Sequence, residues 1–235
     1  ALIYWKYTKD TPAGNYDEHN RTAATKSSVP FWQACADVRV WALAIAYACC
    51  FGMEITFDGV AALYFFDNFH MEETEAGFWA MLFGFMNIFA RAVGGIVADK
   101  IGQKYGMRGK GILLASMLLL EGLGILLFAQ SGNLTMAIVS MLTFAMFLKM
   151  ANGGTYAIVP FINPKAVGVI SGVVGAGGNV GGMLMGFLFK SQSISYGQAF
   201  MYIGGIVAVV GLLLFLVNFG RTVTVEQVET ELQTA

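Results

Sequence analysis

Arg91 is the residue of this sequence with the most to explain. Together with Asn87 it interrupts an otherwise apolar stretch, GFWAMLFGFMNIFARAVGGIVA, that begins at Gly77. If that stretch crosses a bilayer, the charge costs at least ~2.5–3.5 kcal/mol to place there, and such a charge faces a bundle interior or a wet cavity and marks an ion or substrate path. On a helix, Gly84, Asn87, Arg91, Gly94 and Ala98 fall on one face at steps of three and four. That face is small and polar, and the rest is Phe, Met, Leu and Ile. The plainer reading is a structural arginine paired with a carboxylate. The small neighbours leave room for a ligand, so an anion site is the preferred reading.

Upstream, Tyr47, Phe51, Glu54 and Asp58 follow one another at steps of four, three and four, again one helical face. They form either an aromatic packing stripe with two acids, or a cavity wall whose aromatics flank a ligand and whose carboxylate takes up a proton. Downstream, Glu121 and Lys149 stand in apolar runs, and Lys149 precedes Asn152, Gly153, Gly154 and Tyr156. A buried lysine normally pairs with a buried carboxylate. Both Glu121 and Glu54 qualify as the partner of Lys149, and Glu121 with Lys149 is read as a structural pair. Further on, Gly168, Gly172, Gly175, Asn179, Gly182 and Gly186 step by four, three, four, three and four. That is a continuous glycine face with one amide at its centre, while Gly177 and Gly181 lie on the far side. A single small-xxx-small pattern is common in packed membrane helices. A full glycine face is more specific and lets a backbone or a ligand come close.

The elements that must carry these residues are spanning helices. The chain of 235 residues is 57% hydrophobic and 12% charged, with 29 glycines. Its mean hydropathy is +0.63. Six apolar segments each approach the ~20 residues needed to cross a bilayer: Val40–Phe66, Gly77–Ala98, Gly111–Ala129, Leu134–Val159, Val167–Phe189 and Ala199–Val217. Arg91 then lies about 5 Å from the centre of its helix, at ~1.5 Å per residue. Tyr47 and Phe51 lie at a compatible depth, so one site near the midplane can hold all three.

Composition also excludes functions. A net charge of -1 rules out a generally basic nucleic-acid binder. The three cysteines (Cys35, Cys49, Cys50) form neither a disulfide framework nor a metal spacing. His19 and His70 both fall in polar loops, so a membrane haem held by two histidines has no ligands, and no cofactor is expected. No histidine lies in an apolar segment and no nucleophile–base pair is apparent, which disfavours an enzyme.

Loop charge sets orientation. Alternate loops carry eleven Lys and Arg against one, so the basic side, with both ends of the chain, is expected to be cytoplasmic. The opening ALIYWKY reads as the tail of a spanning helix already under way, and the chain as part of something longer. Residues 6–39 read as a long polar loop and 220–235 as a tail.

Three motifs together carry a resemblance. GGIVADKIGQKYGMRGK (Gly94–Lys110) resembles the Gly-x-x-x-Asp-x-x-Gly loop signature of the major facilitator superfamily. FGFMNIFARAVGG (Phe83–Gly95) and GAGGNVGG (Gly175–Gly182) are similar to its nitrate/nitrite porter branch, the second matching that branch's nitrate signature. Tyr47 and Phe51 are similar to the aromatic pair of its seventh helix. The resemblance implies an all-α membrane protein, the six-helix half (helices 7–12) of a twelve-helix transporter. It places 1–39 as the end of helix 6 and the central loop, 40–219 as the six-helix bundle and 220–235 as the tail. It implies that Arg91 binds nitrate, that Tyr47 and Phe51 flank the anion, and that Asn179 with Gly175, Gly178 and Gly182 forms the signature wall, Asn87 lining the same site. Asp99, Gly102 and Arg108 would belong to a cytoplasmic gate loop. The partners implied are nitrate or nitrite, protons, the lipid bilayer of the plasma membrane and a first six-helix half, the chain itself lacking that half's arginine and signature.

The function expected is proton-coupled nitrate import by alternating access, with Glu54 the first candidate for proton carrier beside Lys149 and Glu121. Nitrate/nitrite exchange without protons is the near rival. A non-transporting receptor or accessory subunit is the more distant one, and an accessory membrane partner stays open. The chemistry suits nitrate, because a guanidinium fork offers two parallel donors to a planar oxyanion where a lysine offers a point charge.

Overall fold

The structure, a computed structural model, describes residues 30–191 and 193–220. The expected helix end before residue 6, most of the polar loop and the tail beyond 220 lie outside the described residues. Within them the expected all-helical fold is borne out. The helices are α1 (Phe31–Cys35), α2 (Val38–Phe69), α3 (Glu73–Phe85), α4 (Ala90–Ala129), α5 (Leu134–Tyr156), α6 (Val159–Ile162), α7 (Val167–Lys190) and α8 (Tyr196–Leu214), with a 3-10 turn at Met86–Ile88. By length and composition, five apolar stretches can cross a membrane, the longest being Glu73–Ala129.

That longest stretch is two crossings. At Gly106 the backbone takes φ 66° and ψ -161°, a conformation open essentially to glycine alone. On an unbroken helix the eleven residues from Asp99 to Lys110 would span about 16 Å. Instead Lys110 Nζ donates to Asp99 Oδ1 at 2.7 Å, so the chain turns back at Gly106 into two limbs, 90–105 and 107–129. Each of the six expected apolar segments therefore falls on its own crossing.

Local signals account for the ends. Asp37 caps α2, its Oδ1 accepting from the Arg39 backbone N–H at 2.8 Å. The helix stops where His70 turns left-handed, at φ 51°. Asn133 caps α5, and Ser195 with Gln198 forms a capping box on α8. Each such cap stabilises by about 1 kcal/mol. α2 begins at Val38, two residues before the expected Val40.

Packing follows residue size. α2 lies along α7, and the two limbs of α4 lie along α5 and α8. Towards one end Phe57, Phe83, Phe128, Phe144 and Phe200 form an aromatic core with ring centroids 4.6–5.8 Å apart around Phe57. That range suits edge-to-face contacts. α7 approaches α2 through Gly177, Gly178 and Gly181, with Thr56 Oγ1 placed to donate to Gly182 O at 3.2 Å. Of the two sides from which close approach was expected, the Gly177–Gly181 side carries the contact with α2. A β-carbon at Gly168, Gly172 or Gly186 would meet nothing within 4 Å among the described residues, and at Gly175 or Gly182 only ordinary contacts near 3.5 Å. The helix–helix seam is thus the line first placed on the far side. Gly168, Gly172 and Gly186 stand open among the described residues, whereas Gly182 is buried beside the seam with α2.

Candidate functional site

Glu54, at mid-length of α2, is where the polar residues of the apolar segments converge. Arg91 Nη2 donates to its Oε2 at 2.7 Å, and Asn87 Nδ2 donates to its Oε1 at 2.7 Å. Lys149 Nζ donates to Oε1 at 3.2 Å, and Asn152 Nδ2 donates to Oε2. Two cations and two amides from α5, the first limb of α4 and the 3-10 turn thus meet one carboxylate.

The 3-10 turn explains how Asn87 and Arg91 reach it together. The α-helix lapses at Met86–Ile88, and Phe89 sits at φ -126°. A short 3-10 stretch inside a helical run often marks a functional hinge or strain. The single helical face read from spacing is therefore interrupted just before Arg91. No proline announces the break, and Gly84, two residues before it, is the nearest helix-weakening residue. Beyond it, Gly94 packs on the Met150 backbone and Gly153 on the Arg91 carbonyl, bringing the Lys149–Asn152 turn of α5 against Arg91.

The expectation that Lys149 pairs with Glu121 is corrected. Lys149 is fully buried against Glu54, with its ammonium 4.0 Å from the Phe83 ring centroid. Glu121 is also fully buried, and neither of its carboxyl oxygens has a hydrogen-bond partner among the described residues. Spacing could not separate the two acids because both lie at similar depth. Only the helix rotations decide.

Arg91 differs from Lys149 in access. Its side chain is 41% exposed, against 6% for Glu54. It opens onto a pocket lined by Tyr47, Asn87, Arg91, Ala92, Gly95, Asn152, Gly153 and Tyr156. A guanidinium has five N–H donors. Its one hydrogen bond among the described residues goes to Glu54, and its buried Nε has no partner there. The Phe51 ring lies 5.9 Å from the guanidinium carbon. A second groove, on α8 around Met201, Tyr202 and Ile206, holds no charged residue and cannot hold an ion in this way.

Tyr47 and Phe51 stack on each other, with centroids 4.9 Å apart and planes 7° from parallel. A flat ion between two rings would need about 7 Å, twice the ~3.5 Å contact distance. The pair is therefore a single aromatic block, of which Tyr47 lines the pocket and Phe51 stacks on it. Tyr156 extends that block, edge-on to Tyr47 at 5.1 Å. Gly178 backs it, since a β-carbon there would meet both rings within 2.8 Å. Gly175 borders Tyr156, whose hydroxyl would be 3.5 Å from a β-carbon at that position. Asn179 stands apart from Arg91, exposed on the open face of α7 and donating to the Gly175 carbonyl at 3.0 Å.

At the Gly106 end, Asp99 and Gly102 are brought together by Lys110, which sequence reasoning passed over. Lys110 Nζ also donates to Ala157 O at 2.9 Å and lies 4.5 Å from the Phe161 ring centroid. Arg108 is exposed, near Gly220. Asn152 and Tyr156, read from the sequence only as following Lys149, were given no role in the site. An amide in an apolar run, the signal that singled out Asn87, was equally present at Asn152.

Comparisons with known proteins bear on what this arrangement does. Residues 43–234 match the family model described as Major Facilitator Superfamily. The chain is 38% identical to High affinity nitrate transporter 2.5 of Arabidopsis thaliana, over 82% of this chain and 39% of that protein. It is 36% identical to Nitrate transporter 2.2 of Chlamydomonas reinhardtii, over 80% and 38% respectively. Nitrate/nitrite transporter NrtP of Picosynechococcus is 36% identical over 59% of this chain and 26% of that protein. The chain thus spans about two fifths of the length of the first two curated relatives, and the resemblance read from its motifs is borne out.

Proposed function

The chain belongs to the Major Facilitator Superfamily, and from that premise we propose that it holds the anion in a nitrate carrier that imports nitrate together with protons. The observation that carries this reading is Arg91. An arginine in an apolar span, open to a pocket and with most of its donors unspent among the described residues, is a site for a planar monovalent oxyanion. The choice of nitrate, with nitrite admitted, leans on the relatives' names.

In this reading Arg91 grips two oxygens of the anion, the Tyr47–Phe51–Tyr156 wall covers its flat side, and the open glycine face of α7 faces the substrate path, with Asn179 along it. The relatives are more than twice as long as the stretch matched here, which leaves room for a first six-helix half. Halves of this superfamily are repeats about an axis along the membrane normal, with the site between them. We expect that half to bring a second arginine across the pocket. The excess of Lys and Arg in the loops assigns the Gly106 hairpin, with Asp99, Gly102, Arg108 and Lys110, to the cytoplasmic side. The membrane is the plasma membrane.

Glu54 carries the proton. Bringing one anion in against about 100 mV, inside negative, costs ~2.3 kcal/mol. One proton per nitrate makes the cycle neutral, and two make it inward positive. The test is uptake of labelled nitrate by vesicles holding the protein, with and without an inward proton gradient. Saturable uptake that the gradient accelerates is the expected result. Uptake that needs internal nitrite and ignores the gradient would favour exchange, and absence of nitrate binding would overturn the reading.

A further inference from the structure

Glu54 is saturated with donors. A carboxylate has about four lone-pair sites, and four are filled, two on each oxygen, by Asn87 and Lys149 and by Arg91 and Asn152. A glutamate that merely balanced a buried lysine would need neither the arginine nor Asn87. The trio of Arg91, Lys149 and Glu54 carries one surplus positive charge. Lys149 is fully buried and Arg91 is not, so the surplus is presented to the pocket on the guanidinium.

We propose that Glu54 is a tethered anion that competes with the substrate anion for Arg91, and that Lys149 with Asn152 is where its carboxylate falls back when the substrate arrives. This rests on the nitrate reading and names how that site is regulated. A guanidinium that turns a parallel pair of N–H donors to an oxyanion in the pocket gives up its alignment on Glu54. Lys149, on the other oxygen of Glu54, is then the one cation on the carboxylate, beside the amides of Asn87 and Asn152, and a monovalent anion on Arg91 brings the trio to neutrality. Protonation of Glu54 gives the same release. The proton comes from water on the side to which the pocket is open, adds to a carboxylate oxygen of Glu54 and leaves from it. No other bond changes.

Asn152 is built for both forms of Glu54. Its Nδ2 donates to the carboxylate, while its Oδ1 is buried and without a hydrogen-bond partner among the described residues. A flip of the amide puts that orphan acceptor against a protonated Glu54. The other groups that face Glu54 electrostatically are Tyr47, Cys50 and Asp58 on its own helix and Glu121 on the second limb of α4. None of them is hydrogen-bonded to it, so Arg91 and Lys149 set its balance.

The consequence is a linkage. If protonation of Glu54 strengthens nitrate binding by some factor, bound nitrate strengthens proton binding by the same factor. The experiment is calorimetric titration of nitrate into the purified full-length protein across the pH range it tolerates. The dissociation constant is expected to rise at least about tenfold from the acid to the alkaline end. In Glu54→Gln it should stay flat and close to the acid-end value of the unmodified protein. In Lys149→Met, where Arg91 is the one cation left on the carboxylate, it should worsen at the alkaline end and be preserved at the acid end. A Glu54→Gln protein that keeps the original pH slope, or a Lys149→Met protein with an unchanged alkaline-end constant, would overturn the competition. Should Glu54→Gln fail to fold, Lys149→Met decides alone. Nitrate binding with no pH slope in the unmodified protein overturns this inference and leaves the nitrate reading standing, whereas no nitrate binding at all overturns both.

Discussion

Gly153 of α5 lies so close against the Arg91 carbonyl that a β-carbon on it would overlap that oxygen and come within 3.0 Å of the Gly95 N–H. The contact is backbone on backbone, so neither partner can give way cheaply. Gly153→Ala should therefore push α5 off the first limb of α4 and pull Lys149 and Asn152 away from Arg91. The expected outcome is an inserted protein with nitrate affinity lowered by at least about tenfold. Nitrate titration of the variant checks this, and unchanged affinity would show that the spacing of the two helices does not matter to the site.

Gly178 makes a sharper comparison with its neighbours. Gly178→Ala would drive a methyl group into the Tyr47 and Phe51 rings, whereas Gly175→Ala meets only the Tyr156 hydroxyl at 3.5 Å. Transport should fall strongly in the first variant and mildly in the second. Equal uptake by the two would mean that the aromatic wall plays no part.

These glycines show what spacing can and cannot reveal. That Gly175–Gly182 is a close-approach element was legible, because no other composition lets two backbones touch. Which side of it touches was not, because glycine occurs on both sides and a periodic pattern carries no label for its neighbour. The same limit governed Lys149. Its need for a carboxylate followed from burial, but the choice of Glu54 over Glu121 depends on helix rotation. The break at Met86–Ile88 left only Gly84 as a trace, and that glycine reads equally well as part of the small helical face. The reversal at Gly106 did, since charged residues and glycines from Lys100 to Lys110 separate two apolar runs.

Asn179→Ala should hurt transport more than stability. Among the described residues its side chain bonds only within its own helix, to the Gly175 carbonyl, and it stands exposed. Losing such a bond costs about 1 kcal/mol or less. A thermal melt together with an uptake assay separates the effects, and a variant that melts early but transports normally when folded would contradict this role.

Lys110→Ala removes three contacts at the hairpin at once: Asp99, the Ala157 carbonyl and the Phe161 ring. If the hairpin serves as a gate, the turnover rate should change while nitrate affinity stays near its original value. Separate measurement of binding and uptake checks this. A parallel loss of both would place Lys110 in the fold of the site instead.

Glu121 is a buried acid that finds no hydrogen-bond partner among the described residues. An unsatisfied buried polar group costs about 1–3 kcal/mol. Glu121→Leu should accordingly raise the melting temperature in detergent. If proton-driven uptake also persists, Glu54 is left as the carrier. Loss of gradient-driven uptake with retained nitrate binding would instead assign Glu121 to the proton path.

Arg91→Lys tests the central claim most directly, since it keeps the charge and removes the fork. The measurement is nitrate titration of the purified, folded variant beside the unmodified protein. Saturable nitrate binding in the unmodified protein and its loss, or a weakening of at least about a hundredfold, in Arg91→Lys is the expected result. Near-equal affinity in the two proteins would contradict the claim that this guanidinium holds the anion.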